Sequence, residues 1–257
     1  MYTNPVIVRP DQVYAEPDGL PLRFDLFRKQ TSEVLPLVIC IHGGGWISGS
    51  KEDVREVALL LASTGYAVAC PNYRLAPLHP FPAAVDDIHA FVKAAKSNAA
   101  EWGIDPKRIA AFGHSAGGHL ACMAGLSGEE RVEAVIATSG ITDLTAPREQ
   151  HFSVSWSFLE QFMGVPYEGN EERYKDASPV SHVRRGAPPF LIVHGEMDDI
   201  VPVSQSEALA SKLAECGVRH LFHRLPNELH SYSIDAWLKV EREVLTFLSD
   251  CFAHAYR

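Results

Sequence analysis

Short unbroken apolar runs alternate along the chain with stretches whose apolar residues recur every three or four positions. Leu35 to Ile41 (LPLVICI) is the clearest run, and the lack of polar alternation reads as a strand buried on both faces. Leu22 to Phe27, after the turn at Pro17-Asp18-Gly19, reads as an earlier strand, and Tyr66 to Cys70 as a second buried one. Val54 to Ser63 reads as a helix between the two buried strands. Pro82 opens another helix, where its missing N–H costs little, with Val85, Ile88, Phe91, Val92 and Ala95 on one face. The alternation continues with Arg108 to Phe112 as strand and His119 to Gly125 as a helix of small residues. Val132 to Thr138 and Phe190 to Val193 are strands, Ser204 to Cys216 a helix, and Arg219 to Leu225 a last strand. Trp237, Val240, Val244, Phe247, Leu248 and Cys251 then set a terminal helix at the 3.6 period.

Repeated strand-helix-strand units of this kind predict an α/β fold, a mostly parallel central sheet covered by helices on both faces. The eighteen Gly and seventeen Pro are scattered as turn punctuation, so residues 1–257 read as one domain. Only the stretch from about Leu144 to Val183, rich in aromatics and charges, breaks the pattern. It is the natural place for a small insertion over a site, around 144–183.

Composition narrows the partners. The net charge of −9 gives no cation cluster for nucleic acid or an anionic membrane. No run approaches the roughly 18 apolar residues of a membrane span. Met1-Tyr2-Thr3-Asn4-Pro5 lacks the basic-then-apolar layout of a secretory signal. Five widely spaced cysteines, Cys40, Cys70, Cys122, Cys216 and Cys251, mostly inside apolar runs, read as reduced core residues of a cytoplasmic protein. A homodimer stays open as an assembly.

Gly113-His114-Ser115-Ala116-Gly117 fits G-x-S-x-G, with a strand-like run before it and a helical run after it. Glycines two residues to either side allow a sharp turn, which stands the serine at the carboxyl end of a strand and over a helix N-terminus. His42-Gly43-Gly44-Gly45-Trp46 follows directly on the LPLVICI strand. Acyl transfer develops an oxyanion, and bare glycine amides can face it. The N–H groups of Gly44 and Gly45 with that of Ala116 would form the hole. The loop meets neither the dinucleotide nor the P-loop pattern.

A nucleophilic serine needs a base, and the base an orienting acid, in the order Ser, Asp or Glu, His. The PFLIV strand ends in His194-Gly195-Glu196-Met197-Asp198-Asp199, where both aspartates qualify. The last strand is followed by a loop holding His230, before the terminal helix. His42 and His194 read as scaffolding, His114 and His119 as packing or hydrogen-bonding groups. His220 and His223, three apart on a strand, face opposite ways. No Cys/His cluster has metal spacing, so neither metal nor cofactor is expected. Trp46, Trp156, Phe152, Phe158 and Tyr232 are candidates to line an acyl pocket.

Together these motifs resemble the α/β-hydrolase superfamily, and within it the esterase/lipase branch related to hormone-sensitive lipase. His42-Gly43-Gly44-Gly45-Trp46 is similar to its HGGG box. Asn72-Tyr73-Arg74-Leu75-Ala76-Pro77 with His79-Pro80-Phe81-Pro82-Ala83-Ala84 is similar to the segment after its fourth strand. Gly113 to Gly118 resembles its elbow. His194-Gly195-x-x-Asp198-x-x-Val201-Pro202 resembles its acid loop, which favours Asp198 over Asp199. Typical members of that branch have a longer N-terminal cap, and their elbow has Asp where this chain has His114. The short length is closer to the small capless esterases, a group with feruloyl, acetyl and acetylxylan esterases and arylformamidases. The resemblance implies a cofactor-free hydrolase of small-molecule esters, with Ser115 as nucleophile, His230 as base and Asp198 as acid; the chain has little length for a deep lipid tunnel or large lid, so short-acyl esters are expected. An arylformamidase using the same triad, and a non-catalytic ligand-binding member, are the alternatives.

Overall fold

The computed structural model describes residues 5–253; residues 1–4 of the N-terminal reading lie outside them. In chain order the elements are β1 (Val6–Ala15), β2 (Leu22–Lys29), β3 (Leu35–Ile41), α1 (Arg55–Ser63), β4 (Ala67–Pro71), α2 (Ala83–Ser97), α3 (Ala99–Trp102) and β5 (Ile104–His114). There follow α4 (Ala116–Leu126), β6 (Ala134–Thr138), α5 (Ser153–Met163), α6 (Glu171–Asp176) and α7 (Pro179–His182). The chain closes with β7 (Phe190–Gly195), α8 (Ser204–Glu215), β8 (His220–Leu225) and α9 (Ile234–Ala253). The strands form one sheet in the order β1-β2-β4-β3-β5-β6-β7-β8. Pairings β1–β2 and β2–β4 are antiparallel and the rest parallel, so the α/β reading holds.

Strand β3 shows why its sequence is apolar throughout. Leu37, Ile39 and Ile41 enter the core under α2 and α4, with Ile88, Phe91 and Leu120. Val38 and Cys40 enter the opposite core under α1 and α9, with Leu61, Val244 and Phe247. Each face removes one alternate set from water, at about 1.5–3 kcal/mol per large side chain. All eleven residues of α4 are buried, and its small residues let it lie against the sheet. A Cβ on Gly125 would sit 2.3 Å from Val135 Cγ2.

The expected α2 face is buried as read, joined by Ala84 and Asp87. Helix α9 buries Ala236, Val240, Val244, Phe247, Leu248 and Phe252, while Trp237 and Cys251 sit half-buried at the margin of that stripe. The sequence reading left β1 unassigned. This strand lies on the sheet edge, its middle is exposed, and its register slips between Arg9 and Gln12, around Pro10 and Asp11. The segment between β6 and β7 carries α5 to α7, and α5 packs down onto the glycine loop after β3. The five cysteines are unbonded; Cys40, Cys70 and Cys122 are buried.

Candidate active site

Ser115 stands between β5 and α4 with φ 58° and ψ −123°, a conformation costly for any residue with a side chain. The surrounding glycines make it attainable. A Cβ on Gly113 would lie 2.2 Å from the Gly117 carbonyl group, and one on Gly117 would lie 2.2 Å from the Ile41 carbonyl oxygen. The Ser115 amide donates to Thr138 O (2.9 Å), which ties the turn to β6.

The glycine loop faces this turn. A Cβ on Gly43 would come within 3.6 Å of Ser115 Cβ. Gly44 and Gly45 have φ +100° and +60°, where a side chain is strained. Their amides donate to no acceptor among the described residues, whereas the Gly44 carbonyl accepts from Ile47 N, Ser48 N and Ser48 Oγ. His42 secures the loop from below: its Nδ1–H donates to Gly43 O (2.9 Å) and its ring stacks on Tyr73 at 4.2 Å. The Tyr73 hydroxyl donates to His42 O (3.0 Å). Tyr73 had no assigned role in the sequence reading; its place just past a buried strand, at the edge where the motifs gather, was the available signal.

Of the two aspartates, the structure brings Asp198 to the His230 ring. Nδ1–H of His230 lies 2.8 Å from Asp198 Oδ2 and 3.1 Å from Oδ1. Asp199 is exposed and accepts the His230 backbone amide, at 3.3 Å. The Asp198 carboxylate also accepts from the amides of Ile200 (2.9 Å) and Val201 (2.7 Å) and lies 3.2 Å from His194 Nε2. Burial alone would raise its pKa. The hydrogen bonds from His194 and His230 outweigh that and hold the carboxyl well below the usual range. His194 is fixed in turn by Ser206 Oγ (2.7 Å) and Val201 O (2.9 Å). Backbone contact latches the two loops together: Met197 N donates to Glu228 O, and a Cβ on Gly195 would lie 2.3 Å from that same oxygen.

The expected aromatic lining needs correction. Trp46 is 0% exposed, stacks on Phe162 at 4.4 Å and donates its indole N–H to His119 Nδ1, so it is a core residue under the loop. Tyr232 is also buried, its hydroxyl donating to Val193 O and joined to Ser139 Oγ, and it braces the His230 loop from behind. Trp156 is buried beside His151, and its indole N–H has no acceptor among the described residues. Phe152 is 43% exposed. Phe158 of α5 covers the loop: its ring carbons would lie 2.7–3.1 Å from a Cβ on Gly45. A cavity of about 520 Å³ between α1 and α9 reaches Gly43 and His114. Among the described residues, no three His, Cys, Asp or Glu side chains are grouped to hold a metal, and no helix is long and apolar enough to cross a membrane.

A mostly parallel eight-stranded sheet, a strained serine between strand and helix, and an Asp-His pair on the two succeeding loops define an α/β-hydrolase. The chain belongs to the BD-FAE family, whose sequence profile matches residues 24–213. It is 32% identical over 236 residues to the esterase LipQ of Mycobacterium tuberculosis, covering 86% of this chain and 56% of LipQ. The chain thus spans little more than half the length of that relative. It is 31% identical over 227 residues to an arylesterase of Saccharolobus solfataricus, covering 83% of this chain and 72% of the arylesterase. Among solved structures, the Thermogutta terrifontis esterase Est2 with propionate bound superposes with a TM-score of 0.79 at 25% identity, over 97% of this chain and 94% of Est2.

Proposed function

We propose that this protein is a serine hydrolase of short-acyl carboxylic esters, working as one α/β-hydrolase domain with an insertion around residues 144–183. The observation that carries the reading is the strained Ser115 facing the glycine loop at Gly43, with His230 already paired to Asp198. Ser115 Oγ attacks the acyl carbonyl while His230 Nε2 takes its proton, and Asp198 fixes the tautomer and stabilises the imidazolium. The amides of Gly44, Gly45 and Ala116 receive the oxyanion. Collapse breaks the bond to the alcohol, which leaves with the proton from His230. Water then attacks the acyl-enzyme through the same base and frees the acid. Nothing in these steps calls for a metal or cofactor.

The short-acyl preference is supported by α5, whose Phe158 closes over Gly45, and by the propionate bound in the similar Est2. The unbonded cysteines support a cytoplasmic setting. Exposed Ile234 and Leu238 on α9 favour a homodimer as the assembly. The test is Ser115→Ala assayed on an ester panel beside a formyl-anilide. A folded variant at least about a thousandfold slower is expected. A fluorophosphonate should label the wild type at Ser115 alone. Turnover above a tenth of wild type would remove the nucleophile assignment. Faster hydrolysis of the formyl-anilide than of any ester would make the protein a formamidase. Acetyl to butyryl esters should exceed decanoyl esters about tenfold in kcat/KM, and a preference for long chains would overturn the substrate class alone.

A further inference from the structure

His114 immediately precedes Ser115 and takes no part in the steps above. Its ring lies against that of His230, centroids 4.8 Å apart and planes tilted by 46°. Tyr232 and Trp237 meet it at 5.4 and 5.7 Å. Its Nδ1 lies 2.9 Å from Thr138 Oγ1, within hydrogen-bond distance. Thr138 is the register partner of His114 on β6, so the anchor is set by the sheet. The cavity of about 520 Å³, walled by Val54, Val57, Phe112 and Trp237, reaches His114 from the side of α1 and α9. His114 therefore touches both the base and an open volume beside it.

We propose that His114 is a positioning residue for His230, a wall that keeps the base from turning away from Ser115. The proposal rests on the reading of His230 as the base. Asp198 grips the His230 ring only at Nδ1, and a ring held at one nitrogen keeps freedom to pivot on that bond. Packing against the His114 face removes the pivot in one direction, and the hydrogen bond to Thr138 keeps the wall upright. Burial first, and the neighbouring His230 second, push the His114 imidazole down to about 3, so it is neutral when the base becomes an imidazolium. A wall that carried charge would oppose that step.

The experiment compares His114→Ala, His114→Phe and Thr138→Val with wild type and His230→Gln. The readouts are kcat, KM, the fluorophosphonate labelling rate, thermal melting, and the far-downfield proton resonance of the His230–Asp198 hydrogen bond. His114→Ala should lower kcat and the labelling rate together, on the order of ten- to a hundredfold, with KM within about twofold, because the base is misplaced and not the substrate. Its downfield resonance should broaden as the ring gains freedom. His114→Phe restores a flat wall and should recover most of the rate. Thr138→Val should show a smaller loss of the same kind. The proposal fails if folded His114→Ala keeps kcat and labelling within about twofold of wild type. It fails equally if the loss appears only in KM, or if His114→Phe is as slow as His114→Ala while the resonance stays sharp in both. Should His114→Ala not fold, His114→Phe and Thr138→Val decide by the same criteria. Retention of activity by His230→Gln would instead remove the reading of the base.

Discussion

Acidification should destabilise this fold through His119 in an amount that can be isolated. His119 is 0% exposed. Its Nδ1 accepts the Trp46 indole N–H at 3.1 Å, and its Nε2–H donates to Ala177 O at 2.8 Å. A second proton would have to sit on Nδ1, donor against donor with Trp46. Burial above all pushes its pKa down from 6.5 to about 4. Between those values the unfolded chain binds a proton that the folded chain refuses, so stability falls as the pH falls. The loss is about 1.4 kcal/mol per pH unit, or about 3 kcal/mol across the window. Below about pH 4 the folded state is protonated as well, and this contribution stops growing. The assay is urea unfolding of wild type and His119→Gln from about pH 7.5 to about pH 4.5. Other depressed histidines, His114 among them, act in both chains and cancel in the difference. His119→Gln should be the less stable chain at neutral pH, through lost packing. Its deficit should then shrink on acidification by about 1.4 kcal/mol per unit below about pH 6.5. Two parallel curves would refute the reasoning.

Two further outcomes follow from the site. Asp198→Asn should lower kcat on the order of 10⁴-fold by favouring the wrong imidazole tautomer, while Asp199→Asn should cost far less; the reverse ranking in steady-state kinetics would move the acid role to Asp199. Gly117→Ala should give little soluble protein, because its Cβ would lie 2.2 Å from the backbone oxygen of Ile41. Normal expression with an unchanged melting temperature would mean that the elbow and β3 can separate.

The sequence disclosed the interior strands because each is apolar for a physical reason: Leu37 and Val38 point into different cores, and neither tolerates a polar residue. It did not disclose β1, where one bulged edge strand around Arg9 to Gln12 needs no apolar pattern. The glycines and Ser115 were legible because backbone geometry restricts what can stand there. The roles of Trp46 and Tyr232 were not, since the groups that engage them, His119 and Ser139, lie far off in the chain and meet them only through the fold. Asp198 and Asp199 are alike in composition and position. What separates them is that one carboxylate is turned inward by the amides of Ile200 and Val201, and spacing alone does not carry that direction.

Helix α5 is fastened to the body by the same aromatic stack that buries Trp46. Phe162 lies on that indole at 4.4 Å and against Phe81 at 5.7 Å, while the Phe162 carbonyl accepts the Phe81 amide at 2.7 Å. A segment pinned in this way does not swing as a door. Substrate admission in the proposed reaction is then expected to use rotamer changes at residues such as Phe158, events of picoseconds to nanoseconds when exposed, and not a domain motion thousands of times slower. For the proposed ester hydrolysis this predicts turnover set by acylation and deacylation, with no waiting time for an aperture to form and no rate increase at an oil-water boundary.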